Sequence, residues 1–459
     1  MIKTERTASE LAKICNGRLI NCDESIKISI FVNNDKDVVN NCVYVAINGE
    51  RHNGIDIAEK AVKGGASLIL CDEMPKIDLP TLLVGDIYMA LADISAYYRK
   101  KELASVVAVT GSVGKTTTKE LLSSLILQKH KVLKTEGNKN NLLGMPLTVL
   151  SNTESEIAVL EAGISEIGEM EILSKIASPN VAVITGIGLM HAETLGSRKK
   201  IAEEKLKILT HAQSDAVLII PENEPLLAFS GAKNTVTVAI ESDTADYSAY
   251  NIRFDESGTH FDLKKRGKLY LNGLFVPIIG NHGVYDATLS IAAAELYGID
   301  EKGIRSGLAE YKAAENRQNI IIKNGVIIMA DCYNFGPESA RASLEAFDML
   351  AKKRGVQKRV LCLGSMLELG MISESEHIAL GKAVAGYGFD ALITVGELAK
   401  NIALGAHIGG MPLEKMYIYS ENEREEAGKT LSMLATKGTA VLIKGSRKMK
   451  MEEFIPLIG

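Results

Sequence analysis

One stretch limits strongly what this chain can fold into: residues 106–122, which read VVAVTGSVGKTTTKELL. A β-branched run ends at Thr110, a glycine-bearing turn follows, and an amphipathic helical pattern comes directly after it, so the order is strand, phosphate loop, helix. Gly111 and Gly114 let backbone N–H groups face phosphate oxygens without an intervening Cβ atom. The start of the helix adds its positive dipole end, so the stretch predicts a nucleotide site.

The two residues after the second glycine carry the chemistry of such a loop. Lys115 can reach the outer phosphates of a nucleotide, and the hydroxyl of Thr116 can bind a magnesium ion. The loop is shorter than the usual phosphate loop, because Val109 stands where the first glycine would be, and it reads T-G-x-x-G-K-T. The alternative is a glycine-rich turn before an ordinary helix, and the strand–turn–helix context favours the nucleotide site.

Composition excludes several classes of partner. The chain has 459 residues, enough for two to four domains, and its net charge of −5 gives no basic surface for nucleic acid or an anionic membrane. No apolar run approaches the ~18 residues of a membrane span, and the N-terminus carries no apolar stretch of signal-peptide length. Six cysteines without a C-x-x-C pair argue against a zinc site and for reduced thiols, so we expect a cytoplasmic protein.

Patterns along the chain divide it into three units, residues 1–85, 86–314 and 315–459. The first is small α/β material, more suited to holding a substrate than to chemistry. In the second, strands and helices alternate, which predicts a parallel sheet with helices on both faces. The third reads as another open α/β sheet. The sequence therefore predicts an α/β protein of three packed domains: a small N-terminal substrate domain, a central phosphate-loop domain with a parallel sheet, and a C-terminal Rossmann-like domain.

Some elements of this pattern are specific enough to check. We expect a long helix over residues 197–212 and an antiparallel hairpin insertion over residues 247–276. Gly280-Asn281-His282-Gly283 should open a helix that runs to about Tyr297. The strands expected in the third unit cover residues 326–331, 359–363, 391–395, 416–419 and 440–443.

Three polar residues, Glu161, His191 and Asp331, end or follow predicted strands, where ligands of parallel sheets bind, and a fourth candidate, Lys205, lies on the helix predicted over residues 197–212. Glu161 ends the strand VLEAG and can hold magnesium, or it simply faces solvent. His191 alone is more often structural, and Lys205 on a charged helix is more often a solvated side chain. Asp331 ends the strand VIIMAD and can accept ribose hydroxyls, or it caps a helix that starts at Pro337.

A basic loop follows the last predicted strand and reads Lys444-Gly445-Ser446-Arg447. A loop of this composition at a strand end suits a phosphate or a carboxylate. A surface turn is an equally good interpretation of these residues alone.

Together these motifs resemble the Mur ligases, the ATP-dependent amide-forming enzymes of peptidoglycan synthesis, and in particular the branch that adds D-alanyl-D-alanine. The resemblance covers nearly the whole chain and keeps the order of the family. It is carried by GNKNNLLGMPLTVL at 137–150, EAGISEIGEM at 161–170, GSRKKIAEEK at 196–205, CYNFGPESA at 332–340, LGSMLELG at 363–370 with His377, and KGSRKMKMEE at 444–453.

The resemblance implies a role for single residues. Those that would bind ATP are Gly111, Ser112, Gly114, Lys115, Thr116, Thr117, Asn281, His282, Arg317 and Asp331. Those that would hold two magnesium ions are Thr116, Glu161, His191 and Lys205, the last as a carbamylated lysine. Those that would serve catalysis most directly are Lys115, His191 and Lys205. Those that would lie near the peptide substrates are Asn138, Asn140, Asn141, Tyr333, Asn334, Glu368, Lys444, Ser446 and Arg447.

The resemblance also implies a reaction in two steps. A carboxylate of a UDP-MurNAc-tripeptide attacks the γ-phosphate of ATP, giving an acyl phosphate and ADP, and the amine of D-Ala-D-Ala then displaces phosphate. The partners would be these small molecules, with no nucleic acid and no membrane insertion, and we expect a monomer. Closure of the third domain would bring Arg317 and Asp331 onto the ATP.

This sequence departs from the family pattern at several positions. The asparagine before the metal histidine is replaced by Gly186, the second asparagine of the third-domain motif by Gly336, the aspartate of L-G-D-M by Ser365, and the asparagine of the helix after His282 by Asp286. The first-unit motifs read Asn34-Asp35-Lys36 and Asn53-Gly54-Ile55. Two alternative functions stay open: a Mur-family paralogue with a different carboxylate or amine, and an ATP-binding scaffold that does not ligate.

Overall fold

The computed structural model describes residues 6–48, 53–228, 230–314 and 317–459. Three larger β-sheets follow one another along the chain, with five, nine and six strands. The α/β fold class predicted from the sequence, with parallel sheets in a multidomain chain, is confirmed. The boundary expected at residue 315 lies outside the described residues.

The N-terminal unit combines a five-stranded sheet with three helices. Its strands are β1 Arg6–Thr7, β2 Arg18–Ile20, β3 Lys27–Ile28, β4 Ile30–Val32, β5 Cys42–Val45, β6 Ala66–Cys71 and β7 Thr81–Leu83, and its helices are α1 Ala8–Ile14, α2 Gly54–Lys63 and α3 Ile87–Glu102. The sheet order is β2-β7-β6-β5-β4, parallel except for β2. The small strands β1 and β3 pair with each other.

A fully buried arginine ties the start of the chain to the central unit. Arg6 donates to the Leu150 carbonyl oxygen at 2.7 Å and to both carboxylate oxygens of Glu102 at 3.0 Å. Its guanidinium carbon also lies 4.5 Å from the centre of the Tyr98 ring. A bidentate pair of this kind fixes geometry as well as charge, so it sets how helix α3 leaves the first unit.

The central unit is built on the nine-stranded sheet. Its strands are β8 Ser105–Thr110, β9 Val132–Lys134, β10 Ile157–Glu161, β11 Val181–Ile184, β12 Val217–Pro221, β13 Asn234–Ile240, β14 Tyr247–Phe254, β15 Thr259–Lys265 and β16 Lys268–Val276. Its helices are α4 Lys115–Ile126, α5 Gly144–Leu150, α6 Glu169–Ala177, α7 Ala192–Leu195, α8 Arg198–Leu206, α9 Asn281–Glu295 and α10 Glu301–Ala309. The sheet order is β16-β15-β14-β13-β12-β11-β8-β10-β9.

Strand β8 lies inside this sheet and is buried on both faces. Val107 and Val109 pack into one apolar core with helices α4 and α9. Val106 and Ala108 pack into the other core with helices α5 and α6. A strand covered on both faces must be apolar at every position, which explains why its sequence is a continuous apolar run.

The long helix expected over residues 197–212 is wrong in length. Helix α8 ends at Leu206 and passes into a short 3₁₀ helix, Lys207–Leu209. The reason lies in the neighbouring helix α6, where the Ser174 hydroxyl donates to the Ile208 carbonyl oxygen at 2.7 Å and accepts from the His211 N–H at 3.0 Å. These bonds take backbone groups that a continuing helix would use.

Residues 247–276 do not form a separate hairpin insertion. Strand β14 pairs in parallel with β13, and β15 and β16 then follow in antiparallel order, so all three extend the central sheet. Their inward side chains, among them Ala249, Phe261, Leu263 and Leu274, belong to the same core as helix α9. The predicted antiparallel strands are present, but they are part of the main core, because helix α9 covers their inner face.

The C-terminal unit is a mostly parallel sheet covered by helices. Its strands are β17 Asn319–Lys323, β18 Val326–Asp331, β19 Lys358–Leu363, β20 Ala391–Val395, β21 Met416–Tyr419 and β22 Thr439–Lys444, and its helices are α11 Pro337–Lys353, α12 Ser373–Tyr387, α13 Lys400–Ile408 and α14 Arg424–Leu434. The order is β17-β18-β22-β19-β20-β21, with only β17 antiparallel to its neighbour. Further short 3₁₀ helices are Asp35–Asp37, Gly370–Ile372, Leu413–Lys415, Glu421–Glu423, Arg447–Met449 and Met451–Leu457.

A bilayer span requires a helix that is both long and apolar. In the described part of the chain, no helix meets both requirements.

Candidate active site

The phosphate loop sits at the point of the central sheet where the strand order turns. Strand β8 has β10 on one side and β11 on the other, so the loop after Thr110 opens between their carboxyl ends. Gly111 and Gly114 have φ angles of +147° and +85°. A Cβ atom on Gly111 would lie 2.0 Å from Thr185 Oγ1, and one on Gly114 would lie 2.5 Å from Asp286 Oδ1. Only glycine fits this loop without displacing its neighbours.

Lys115 is the first residue of helix α4 and lies half-buried over the loop. Its ammonium donates to the carbonyl oxygens of Gly111 at 2.9 Å and Ser112 at 3.4 Å. Burial lowers the pKa of this lysine, while the charge of Glu161 opposes the shift. The amine is therefore held next to the helix N-terminus, where the phosphates of a nucleotide would bind.

The other loop residues divide between the cavity and the scaffold. Ser112 accepts from the Gly188 N–H at 2.8 Å and donates to its carbonyl oxygen at 3.3 Å, so its hydroxyl is used in holding the loop. Thr116 is buried, and its hydroxyl accepts from Arg317 Nη2 at 3.1 Å. Thr117 lines the cavity beside it. The Thr116 hydroxyl therefore links the phosphate loop to Arg317.

Glu161 ends strand β10 as expected and is 2% exposed. One carboxylate oxygen, Oε1, accepts from Asn140 Nδ2 at 2.8 Å. The other, Oε2, is buried and has no hydrogen-bond partner among the residues that the structure describes. Because a buried carboxylate oxygen without a partner is costly, this atom fits a bound cation.

Lys205 is 3% exposed on helix α8, so it is not a solvated side chain. No hydrogen bond to its amine is found within the described ranges. Burial and the nearby charge of Lys115 hold its pKa well below the ordinary value. A lowered pKa favours the neutral, nucleophilic form of the amine, which is the form that reacts with carbon dioxide.

His191 lies in the left-handed region with φ +59° and caps the short helix α7. Its Nδ1 is 2.7 Å from Glu368 Oε2, a residue of the C-terminal unit. The hydrogen bond from His191 lowers the pKa of Glu368. Across the described residues, no cluster of three or more His, Cys, Asp and Glu side chains forms a ready metal site. A complete magnesium site here would therefore need oxygens from the nucleotide or from a modified Lys205.

A cavity of about 390 Å³ lies between the phosphate loop and the C-terminal unit. It is lined by charged side chains, among them Lys115, Asp286, Arg317, Asp331 and Lys444, and by apolar ones, Pro277, Ile278, Ile279, Ile320 and Met329. A cavity with both cationic and apolar walls suits a nucleotide, which carries phosphates and a base.

The two residues expected on the adenine side, Asn281 and His282, point to different places in the structure. His282 lines the cavity, with Nε2 3.0 Å from Gln318 Oε1, and burial lowers its pKa. Asn281 is exposed and donates instead to Glu345 Oε1 at 3.0 Å, toward helix α11. Since Asn281 starts helix α9, its side chain leaves on the outer face, and the structure does not bring it to the cavity.

Asp331 and Lys444 end the neighbouring strands β18 and β22 and form a buried pair. Lys444 Nζ lies 2.5 Å from Asp331 Oδ2 and 3.0 Å from the Asn334 carbonyl oxygen. Burial acts to raise the pKa of Asp331, but Lys444 and the Ser343 hydroxyl hold it below the ordinary value. Lys444 lines the same cavity as Lys115 and Arg317, and its expected place beside the peptide stays a prediction.

Arg317 crosses from the C-terminal unit to the phosphate loop. Besides its bond to Thr116, its guanidinium carbon lies 4.2 Å from the centre of the Tyr333 ring. The contact with the Tyr333 ring holds the guanidinium in place, and Arg317 lines the cavity.

The remaining residues expected near the peptide mostly contact their own loops, and Asn334 also lines the cavity. Asn140 supports Glu161, Asn141 caps helix α5 through the Gly144 N–H at 2.9 Å, and Asn138 is exposed. Ser446 Oγ accepts from the Leu367 N–H at 2.9 Å. Arg447 pairs with Glu452 at 2.6 Å. Asn334 accepts from the Phe335 N–H through its own side chain at 2.8 Å. Most of these side chains are used in shaping loops around the cavity.

Sequence reasoning missed Asp286 as a site residue. The carboxyl is 5% exposed, lines the cavity and lies against Gly114. Burial raises its pKa to about 8. The available signal was its spacing, because it stands four residues after His282 on helix α9 and so shares one helix face with it.

Comparisons with known protein families agree with this geometry. The Mur ligase middle domain matches residues 109–294, and the Mur ligase, glutamate ligase domain matches residues 316–447.

Relatives and solved structures match over almost the full length. UDP-N-acetylmuramoyl-tripeptide–D-alanyl-D-alanine ligase of Bacillus subtilis is 35% identical over 99% of this chain and 98% of its own. The Escherichia coli enzyme of the same name is 30% identical over 98% and 97%.

Two crystal structures show the same fold. MurF from Acinetobacter baumannii superposes with a TM-score of 0.88 at 26% identity, covering 99% of this chain and 98% of its own. MurF ligase from Thermotoga maritima, in complex with ADP, gives a TM-score of 0.81 at 29% identity, covering 93% and 96%. Matched by both domain models and by relatives along nearly its whole length, the chain belongs to the Mur ligase family of ATP-dependent enzymes that form carbon–nitrogen bonds.

Proposed function

We propose that this protein joins D-Ala-D-Ala to a UDP-MurNAc-tripeptide at the expense of ATP. The observation that carries the proposal is the cavity between the phosphate loop and Asp331, which Lys115, Arg317 and Lys444 line. Relatives that bear the name of this activity match the chain from end to end. Their agreement with the geometry of the cavity supports a ligase that keeps the substrates of its branch.

In the first step, a carboxylate oxygen of the tripeptide attacks the γ-phosphorus of ATP, the bond to the bridging oxygen breaks, and ADP leaves. Lys115 lies at the helix N-terminus, where its positive charge offsets the charge on the transferring group. Arg317, held by Thr116 and Tyr333, adds a second positive charge beside the phosphate loop. The chemistry is mainly positioning, because both substrates must lie in line.

In the second step, the amine of D-Ala-D-Ala attacks the acyl carbon, and phosphate leaves with the bonding electron pair. The amine loses a proton as the amide forms. Asp331 and His282 lie on the nucleotide side of the cavity, so their part is to hold ATP in register.

Magnesium fits the donor set at the end of strand β10. Thr116 and Glu161 would hold one ion, and His191 with a carbamylated Lys205 would hold a second; bound magnesium would offset phosphate charge. The orphaned Oε2 of Glu161 and the neutral amine of Lys205 support this assignment. Carbamylation would form a bond between Lys205 Nζ and the carbon of carbon dioxide, with loss of one proton.

Each of the three units would have a separate role. Residues 1–85 would bind the UDP-sugar, residues 86–314 the ATP, and residues 315–459 would close over both. We further propose that the protein works as a monomer in the cytoplasm.

The test is phosphate release from ATP with a UDP-MurNAc-tripeptide, with and without D-Ala-D-Ala. Release that needs both substrates, with a product heavier by the dipeptide residues, is the expected result. Lys115→Ala should lower turnover by at least ~100-fold, because it removes charge from the transferring group. Phosphate release that needs another carboxylate or amine would contradict the substrate assignment. ATP binding without phosphate release, whichever carboxylate and amine are supplied, would contradict the assignment as a ligase.

A further inference from the structure

Residues 186–191, the turn between strand β11 and helix α7, connect the phosphate loop to the C-terminal unit. On one side, the Ser112 N–H donates to the Gly186 carbonyl oxygen at 2.9 Å, and the Ser112 hydroxyl accepts from the Gly188 N–H at 2.8 Å. The turn therefore moves with the phosphate loop. A group that contacts the other side of this turn is therefore connected to the phosphate loop through Ser112.

Glu338 lies near the start of helix α11, in the C-terminal unit, and contacts residues 186–191. Its Oε1 accepts from the Leu189 N–H at 3.1 Å. A Cβ atom on Gly188 would lie 2.5 Å from the Glu338 carboxyl carbon, so the two units meet here without room for a side chain. Glu338 Oε2 is buried and has no hydrogen-bond partner within the described residues.

Glu368, in a loop of the C-terminal unit, contacts the segment from residue 191 to residue 193. Its Oε2 lies 2.7 Å from His191 Nδ1, and its backbone carbonyl accepts from the Glu193 N–H at 3.2 Å. The loop is rigid, since the Met366 N–H donates to His377 Nε2 and the Leu367 N–H to Ser446 Oγ, both at 2.9 Å. Glu368 is thus presented in one place whenever the C-terminal unit is docked.

The bond to Glu368 fixes the tautomer and the ring direction of His191. With Nδ1–H donated to a carboxylate, Nε2 is the ring nitrogen that carries the lone pair. Among the described residues, Nε2 makes no hydrogen bond of its own. A histidine oriented this way is prepared to bind a metal ion, and the carboxylate that orients it comes from the other unit.

We propose that Glu338 and Glu368 form an interdomain latch on Gly188, Leu189 and His191, so that His191 is aimed at the metal only when the C-terminal unit is docked. Both glutamates are then positioning residues. The latch makes metal capture depend on closure and so couples the arrival of the C-terminal unit to phosphate transfer. This inference rests on the proposed role of His191 as a metal ligand.

The experiment measures binding of Mn²⁺, a paramagnetic probe for magnesium sites, to the full-length protein saturated with ADP. Variants are Glu368→Ala, Glu368→Gln, Glu338→Ala, Gly188→Ala and His191→Ala. The matched control is Gly386→Ala, a helical glycine whose Cβ atom would meet nothing within 4 Å. ADP binding in EDTA and thermal unfolding check that each variant is folded, and small-angle scattering reports closure.

We expect Glu368→Ala, Glu338→Ala and Gly188→Ala to weaken Mn²⁺ binding by ~10–100-fold, the usual effect of losing a group that orients a ligand. Affinity for ADP in EDTA should change much less than affinity for Mn²⁺, because Lys115 and the phosphate loop itself are unaltered in these variants. Glu368→Gln should recover most of the loss, since its amide oxygen still accepts from Nδ1–H, and Gly188→Ala should fail to compact with ADP and Mn²⁺. The control should match the wild type.

Two results would overturn the latch, and they differ. If His191→Ala weakens Mn²⁺ binding while Glu368→Ala, Glu338→Ala and Gly188→Ala bind like the wild type, His191 binds metal without the latch. If His191→Ala itself binds Mn²⁺ like the wild type, the proposed metal role of His191 fails, and the latch fails with it.

Discussion

Asp286 lies against the phosphate loop with its carboxyl buried, in a cavity whose other charged groups are mainly positive. Burial raises its pKa from 3.8 to about 8, and the charge of Arg317 opposes that shift. The carboxyl is therefore mostly protonated at neutral pH. In that state it resembles the asparagine that the family pattern places there, because both are neutral and can donate a hydrogen bond.

The raised pKa of Asp286 sets the direction in which the free energy of unfolding changes with pH. A group whose pKa is higher in the folded protein contributes stability that is full below pH 4 and is lost as pH rises through about 8. Ionised Asp286 would also place a negative charge beside the phosphates. Affinity for ADP, measured by calorimetry, should therefore weaken between pH 7 and 9 in the wild type.

The matched variant for this effect is Asp286→Asn. It should show a flatter ADP-affinity profile over the same pH range and a higher free energy of unfolding at pH 9 than the wild type. Equal profiles for the two proteins would show that Asp286 does not ionise in this range.

Lys205 provides the second prediction at the residue scale. Its amine is buried and its pKa is lowered by that burial, which suits carbamylation, and no ordinary ion pair explains its position in the described structure. Lys205→Ala should lose turnover by at least ~100-fold, and an added short-chain carboxylate should restore part of it by filling the space of the carbamate. Lys205→Arg is the control, because it fills that space with a charge of the wrong sign. Full turnover of Lys205→Ala would contradict the carbamate.

At the scale of elements, the junction of strand β8 and helix α4 depends on Gly114. Its φ of +85° is unfavourable for any residue with a Cβ atom, and that atom would meet the Asp286 carboxyl at 2.5 Å. Gly114→Ala should therefore cost ~1–2 kcal/mol in the free energy of unfolding and weaken ADP binding by ~10-fold or more.

Urea unfolding and calorimetry measure both effects of Gly114→Ala. Gly386→Ala in helix α12 is again the control, because its position has normal φ and open space. ADP affinity of Gly114→Ala equal to that of the control would mean that this loop does not hold the phosphates.

Elements are predictable from the sequence where local pattern decides them. Strands β8, β10, β18 and β20 follow continuous apolar runs, and the structure has them within a residue of the expected ends. Edge strands are harder to predict: β17 has only a partly buried, alternating stretch and forms by pairing with β18. The end of helix α8 differs from the prediction because it is set by Ser174 from another helix.

At the scale of the whole molecule, the central and C-terminal sheets meet at the functional cavity. The phosphate loop and Glu161 were predictable because strand ends of a parallel sheet meet at one edge. The pairings of Arg317 with Thr116 and of His191 with Glu368 were not, since each joins residues far apart in the chain, across two units. Only the docking of those units brings the side chains together, and no local pattern encodes it.

The whole-molecule account makes one central claim: the cavity between the central and C-terminal units transfers the γ-phosphoryl group of ATP to a substrate carboxylate. The most direct measurement uses a tripeptide substrate whose terminal carboxylate carries heavy oxygen. After ligation with D-Ala-D-Ala, the released phosphate is examined by mass spectrometry. The account predicts one heavy oxygen in each released phosphate, because the acyl phosphate breaks at its carbon. Phosphate without heavy oxygen, accompanied by amide product, would contradict it.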